Sequence, residues 1–127
     1  MTTVPSAYRA LEDTYQKVHR FEHARAIVWW DQASNMPPKG NVARGAALAE
    51  LAALLHRMRT DPGLGARIET AEREPLTDLE RANLREIRRD WQCACALPES
   101  LVQRRQMAGS RCEHASRQQR PANDWQG

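Results

Sequence analysis

Apolar residues recur at intervals of three and four along most of the chain, which is the spacing of one helical face. The pattern begins with Tyr8, Leu11, Tyr15 and Val18 near the N-terminus. The later stripes are Leu48, Leu51, Leu55 and Met58; Leu84, Ile87, Trp91 and Ala94 or Cys95; and Leu101, Ala108, Cys112 and Ala115. No stretch alternates with the period of two that is typical of a strand. The pattern predicts an all-α chain of about five helices in an antiparallel arrangement.

Prolines and glycines interrupt this pattern at residues 35–41 and 75–77. Two successive prolines and a glycine in the first break exclude a regular helix there. We therefore predict that residues 1–127 form a single helical segment with interhelical breaks at these two places. Pro121 is expected to end or kink the last helix. The predicted helices cover approximately residues 5–30, 41–60, 61–74, 77–97 and 98–121.

Polar residues at the predicted helix starts match known capping patterns. Thr77 and Glu80 form a capping box, in which each side chain bonds the backbone amide of the other residue. Asp61 followed by Pro62 is a second start signal, because proline is favoured at the first helical position. Asn41 is the predicted N-cap of the second helix.

Composition and charge narrow the class of protein. The 127 residues suit one ordinary domain, and 41% hydrophobic with 28% charged residues allow a packed but thin core. The net charge of +3 divides as +3, −3 and +3 over residues 1–60, 61–100 and 101–127. Since no basic block is present, we expect no nucleic-acid partner. The alternative is a phosphate-binding module that uses the arginines of the last helix, from Arg104 to Arg120.

Compartment and membrane association follow from what the sequence lacks. No apolar run approaches the roughly 18–20 residues that span a bilayer, so we expect no membrane partner. The N-terminus shows no secretory signal. Cys93 and Cys95 are two apart on a predicted helix and point to different sides, and Cys112 stands alone. We therefore predict reduced thiols and a cytoplasmic location.

The segment His19-Arg20-Phe21-Glu22-His23 matches the inverted zinc-peptidase pattern H-x-x-E-H. His19 and His23 would face the same way on a helix and could share a metal, with Glu22 activating a bound water. A catalytic zinc also needs a third protein ligand, for which Glu113 or His114 are the candidates. The alternative interpretation is chance spacing on an amphipathic helix, and we favour it.

An adjacent tryptophan pair precedes the first break. Because neighbouring residues cannot share a helix face, one ring of Trp29 and Trp30 is predicted to enter the core and the other to lie at a rim or an interface. Asp31 near a helix C-terminus is unfavourable unless it is paired, and Arg44 is its expected partner. His56, beside the apolar stripe of the second helix, is interpreted as a core or rim histidine.

Several short segments carry a family resemblance in order along the chain. They are Glu22-His23-Ala24, Trp30-Asp31, Met36-Pro37, Ala43-Arg44, Leu48, Leu51, His56, Thr60-Asp61-Pro62, residues 79–84, Ile87-Arg88-Arg89, Leu97-Pro98, Leu101, Glu113-His114-Ala115, Arg117 and Asn123-Asp124. Together they resemble the N-terminal region of the carboxypeptidase Taq family, over essentially the whole chain. Ser116 departs from the family, which usually has tryptophan there, and His19 stands where an aliphatic residue is usual. The H-x-x-E-H match is therefore interpreted as accidental.

The resemblance implies a fold and an activity for a longer parent protein. The family consists of long, all-helical zinc carboxypeptidases that remove C-terminal residues from peptides. Their H-E-x-x-H helix, downstream glutamate and carboxylate-binding arginines lie far downstream, and those motifs do not occur in these residues. The resemblance therefore implies no catalytic and no metal residue here, and His19 and His23 are at most weak metal candidates. The signature residues implied to be architectural are Trp30, Asp31, Met36, Pro37, Arg44 and His56.

We expect the chain to be the N-terminal groove wall or lid of such an enzyme and to be inactive alone. Zinc and a peptide substrate belong to the full-length parent, and no cofactor is expected in this chain. The alternatives are a standalone helical interaction module or a small zinc hydrolase that uses His19, Glu22 and His23. Exposed Trp29, Trp30 or Trp125 is expected to drive homodimerisation or aggregation, and Trp125 also suggests a chain cut short inside a larger fold.

Overall fold

The computed structural model describes residues 6–124, which form five α-helices and no strand. The helices are α1 (Ala7–Ser34), α2 (Asn41–Arg59), α3 (Gly63–Ala71), α4 (Asp78–Cys95) and α5 (Glu99–Ala122). A single 3₁₀ turn, Pro38–Gly40, precedes α2. The predicted all-α class with five helices is confirmed.

The main core lies among the N-terminal half of α1, α3 and α4. Its buried side chains are Tyr8, Leu11, Leu64, Ile68, Ala71, Leu84 and Ile87. Tyr15 and Trp91 are partly buried and pack against it. The apolar faces that the spacing predicts for the first and fourth helices are therefore confirmed, although Cys95 is exposed.

The central helix is α2, with α1 packed along one side and α5 along another. Its buried residues are Gly45, Leu48, Ala49, Ala52, Ala53, Leu55 and His56. A Cβ built on Gly45 would lie 3.3 Å from the Cβ of Ser110 on α5. Small residues on α2 thus let its neighbours approach closely, as the alanine content of this helix predicts.

Two helix starts differ in how well the capping predictions hold. The capping box of Thr77 and Glu80 is confirmed, with both side-chain-to-backbone bonds present. The prediction that Asn41 caps α2 is wrong. Asn41 already has helical backbone angles, φ −59° and ψ −42°, because the 3₁₀ turn winds the chain before α2 begins. The N-cap is Gly40, and it makes no side-chain capping bond.

The other boundaries shift by a few residues. Helix α1 continues past Trp30 to Ser34, and the Ser6 hydroxyl caps its start by accepting a bond from the amide of Arg9. Helix α3 stops at Ala71, three residues earlier than predicted. Helix α5 ends at Ala122, one residue beyond Pro121, as the proline predicts.

The packed face predicted for α5 is wrong. Leu101, Ala108 and Cys112 are exposed, and the buried residue of this helix is Ser110. The reason is that α5 packs against the alanine- and glycine-rich surface of α2, where a small polar residue fits and an apolar stripe is not required. The few apolar residues of α5 therefore do not mark its contact face.

Cys93, Cys95 and Cys112 are all exposed, and none of them forms a disulfide within residues 6–124. Across residues 6–124, no helix combines the length and the apolar character that crossing a bilayer requires.

Candidate functional site

The H-x-x-E-H segment lies in the middle of α1. His19 and His23 are both exposed to solvent. Glu22, between them, is partly buried and forms an ion pair with Arg59 of α2, with its Oε1 2.6 Å from Nη2. The carboxylate that would activate a metal-bound water is thus engaged by a cation.

Arg59 joins three helices in one cluster of charges. Its Nε also lies 3.0 Å from Oδ2 of Asp90 on α4, as an ion pair without hydrogen-bond geometry. Beside this pair, the Tyr15 hydroxyl donates to the carbonyl oxygen of Ile87 at 3.3 Å. Burial and the negative charge of Asp90 raise the pKa of Tyr15 well above its usual range. The phenol therefore stays neutral, and the cluster is suited to holding helices together.

The metal that the family resemblance implies does not fit the residues of this chain. In the part that the structure describes, no group of three or more His, Cys, Asp and Glu side chains could hold a metal ion. Of the candidate third ligands, Glu113 pairs with Arg117 at 3.5 Å and His114 lies 3.3 Å from Gln118. All four residues lie on α5, so these contacts stay within that helix.

The connection from α1 to α2 is held by the signature residues. Asp31 forms an ion pair with Arg44, which confirms the pairing expected from the sequence. The amide of Met36 donates to the carbonyl oxygen of Asp31 at 2.9 Å, and the amide of Gly40 donates to that of Pro37 at 2.8 Å. These bonds fix the turn between the two helices.

The tryptophan prediction is wrong, whereas the histidine prediction holds. Trp29 is 53% exposed and Trp30 is 60% exposed, so neither ring enters the core. The C-terminal half of α1 is tied to α2 through Val28, Asp31 and Glu22, and most of its other residues are exposed. His56 is only 9% exposed and lies within the core side of α2, as predicted.

An open groove of about 860 Å³ runs between α1 and α5, with α2 as its floor. Its apolar lining includes Trp29, Leu48, Ala52, Leu97, Leu101 and Val102. At its base, the hydroxyl of Ser110 donates to Oε1 of Gln32 at 3.5 Å, and Gln32 is 2% exposed. Arg25 and Arg105 line it as well. Sequence reasoning missed this groove, since its walls are far apart along the chain.

Comparison with known proteins agrees with the fold. The family model of the carboxypeptidase Taq (M32) metallopeptidase matches residues 10–127. Thermostable carboxypeptidase 1 of Thermus thermophilus is 34% identical over 130 residues, which cover 98% of this chain and 25% of that protein. Thermostable carboxypeptidase 1 of Pyrococcus furiosus is 30% identical over 89 residues, which cover 69% of this chain and 18% of that protein.

A solved structure shows the same helical arrangement. Metallocarboxypeptidase 1 of Trypanosoma cruzi superposes with a TM-score of 0.74 and 39% sequence identity, over 94% of this chain and 24% of that one. The chain thus spans about a quarter or less of the length of these relatives. The sequence match covers nearly all of the described helices, and the structural match agrees with it. The chain therefore belongs to the carboxypeptidase Taq (M32) metallopeptidase family.

Proposed function

We propose that this chain forms the N-terminal helical wall of a metal-dependent carboxypeptidase that releases C-terminal amino acids from peptides. The observation that carries the proposal is the match along 94% of this chain to only 24% of a solved metallocarboxypeptidase. The catalytic metal, which we take to be zinc, would be held by residues outside this part of the fold. A peptidase metal site needs a set of protein ligands, and residues 6–124 contain no group of three or more His, Cys, Asp and Glu side chains that could form one.

The signature residues have an architectural role in this proposal. The ion pair between Asp31 and Arg44 and the turn through Met36 and Pro37 hold α1 and α2 as one wall. His56 is buried on the packed side of α2, and Trp30 lies on the exposed outer surface of α1. In the full-length enzyme, this wall would border the substrate-binding groove of the active site, and its residues would take no part in proton transfer.

The proposal extends to partners and location. The substrate would be a peptide, with no nucleic-acid or membrane partner, and homodimerisation of the isolated chain is expected through its exposed tryptophans. The location would be cytoplasmic, which three free thiols support because reduced cysteines are typical of that compartment.

The experiment compares the isolated chain with a chimera in which it replaces the matching region of the Thermus thermophilus enzyme. We expect the chimera to release C-terminal residues from an N-blocked dipeptide and to retain zinc after dialysis. The isolated chain should do neither, and the remainder of the Thermus enzyme without this region is the matched control. One zinc retained per isolated chain and lost in His23→Ala would contradict the proposal and favour a small zinc hydrolase.

A further inference from the structure

The groove lies between two helices, α1 and α5, that both pack on α2. Both helices pack along α2, but they barely contact each other. Leu48 and Ala52 of α2 line the base of the groove and are themselves buried, so the exposed apolar lining is on the walls, at Trp29 and Leu101. Helices that pack side by side lie about 8–10 Å apart, so an additional helix placed in the groove would contact α1, α2 and α5 together.

Two arginines at the groove have no acidic partner among the described residues. Arg25 on α1 and Arg105 on α5 line opposite walls. Neither forms a hydrogen bond or an ion pair with any residue between 6 and 124, and Nε of Arg25 is buried without a partner. The acidic residue of the lining, Glu113, pairs with Arg117 instead. Arg25 is half-buried and Arg105 is exposed. Because a buried donor without an acceptor is unfavourable, the Nε atom of Arg25 favours a carboxylate on any partner that packs in the groove.

Gly109, which lines the groove on α5, leaves room for the backbone of another helix to come close. Glycine is among the least favourable residues in a helix interior, and Gly109 has no positive φ to explain its presence. A Cβ built there would meet no atom within 4 Å. Nothing in the described structure thus requires glycine at this position. A missing side chain at this point of the wall would let another backbone come near.

We propose that this groove binds an amphipathic helix from the remaining three quarters of a full-length member of the family. The apolar side of that helix would pack on Trp29 and Leu101, which line the groove and are exposed, and an aspartate or glutamate on it would lie between Arg25 and Arg105. The length of the relatives supports this occupant, since this chain matches only 24% and 25% of two of them. The inference rests on the proposed function.

The test uses the chimera with the Thermus thermophilus enzyme and the isolated chain, and it measures thermal unfolding of both. Gly109→Trp fills the groove, and Arg25→Glu with Arg105→Glu reverses its charge. In the chimera we expect each change to lower Tm by more than about 5 °C, whereas Tm of the isolated chain should stay within about 2 °C. The matched controls are Ala108→Trp and the pair Arg20→Glu with Arg111→Glu, which are exposed on the same helices outside the groove.

Three outcomes would overturn the inference. The first is that Gly109→Trp leaves Tm of the chimera unchanged, and the second is that the control variants lower Tm as much as the groove variants do. The third is that the two parts of the chimera unfold separately or that the chimera does not fold. If the chimera tolerates Gly109→Trp and that change instead disperses a dimer of the isolated chain, the groove is a homodimer interface. A chimera that unfolds as one unit but releases no C-terminal residue would count against the proposed function alone.

Discussion

Gly65 and Gly109 both lie inside helices, but only Gly65 is required by its described neighbours. A Cβ on Gly65 would lie 2.9 Å from Cζ2 of Trp91, which is closer than real side-chain contacts. That ring is rigid and packs against the core, so it cannot move away without disturbing the contact between α3 and α4. The same residue type therefore has a packing role in α3 and none within the described part of α5. No pattern in the sequence distinguishes the two.

We predict opposite effects of alanine at these two positions. Gly65→Ala should lower the free energy of unfolding by about 1–3 kcal/mol, because overpacking against Trp91 exceeds the gain in helix propensity. Gly109→Ala should raise it by about 0.5–1 kcal/mol, since only the propensity changes. Urea denaturation of the isolated chain measures both. A stabilised Gly65→Ala variant would show that the Trp91 ring moves freely.

The start of α1 is held by the segment that follows α3. The Glu74 carboxylate accepts hydrogen bonds from the Ser6 hydroxyl at 2.6 Å, from the amide of Ala7 at 2.6 Å and from the amide of Tyr8 at 3.2 Å. These bonds, above all the one from Ser6, lower the pKa of Glu74 below its ordinary value. Amides at a helix start lack intrahelical partners, so a distant side chain here acts as a cap.

The lowered pKa makes this cap sensitive to acid. Its contribution to stability is present above the ordinary glutamate pKa of about 4.3 and disappears as the pH falls through the lower value in the folded state. Glu74→Gln should therefore lower Tm most at pH 7, and its difference from the unsubstituted chain should shrink toward pH 3. Thermal unfolding between pH 7 and pH 3 measures this difference.

The matched control for this prediction is Glu69→Gln, an exposed glutamate on α3. The bonds of Glu80 with Thr77 also lower the pKa of Glu80. Glu80 is present in all three proteins, so its contribution cancels when their Tm values are subtracted. A Tm difference between the Glu74→Gln variant and the unsubstituted chain that stays constant over this pH range would contradict the role of the Glu74 charge.

The second half of α1 carries a large amount of exposed apolar surface for a molecule of this size. Phe21, Ile27, Trp29 and Trp30 are all at least 40% exposed and occupy more than one side of the helix. A helix that is apolar on several sides is typical of the interior of a larger protein. Contiguous exposed apolar patches commonly mark interaction surfaces. The isolated chain leaves this surface in water.

We therefore predict that the isolated chain self-associates through Trp29 and Trp30. Replacing both with serine should shift the chain toward monomer, because less apolar surface is then available for burial between copies. Sedimentation velocity over a range of concentrations measures the shift. Leu79→Ser is the matched control, because Leu79 is 80% exposed but lies on α4, away from these residues. A monomer at high concentration before any substitution would contradict the prediction. Trp125, named for the same role, lies outside the described residues.

The sequence by itself determined the features that depend on neighbouring residues. The helix class, the capping box at Thr77 and the end of α5 near Pro121 follow from interactions within about four residues. Periodicity placed the apolar stripes of α1 and α4 correctly, whereas in α2 only Leu48 and Leu55 of the predicted stripe are buried. The pair of Asp31 and Arg44 was also predictable, because one short turn brings the two helix ends together. Family membership followed from the order of the motifs.

Only the tertiary structure decided the contacts between distant residues. The pair of Glu22 and Arg59 spans 37 positions, and the bond between Gln32 and Ser110 spans 78. The contact face of α5 depends on the small residues of α2, and the exposure of both tryptophans depends on how little of α1 is covered. Periodicity reports which residues share a face of one helix, but it does not report which helix covers that face. That choice is made by shape and charge across the molecule, and so the groove and its two arginines, which have no partner among residues 6–124, appear only in three dimensions.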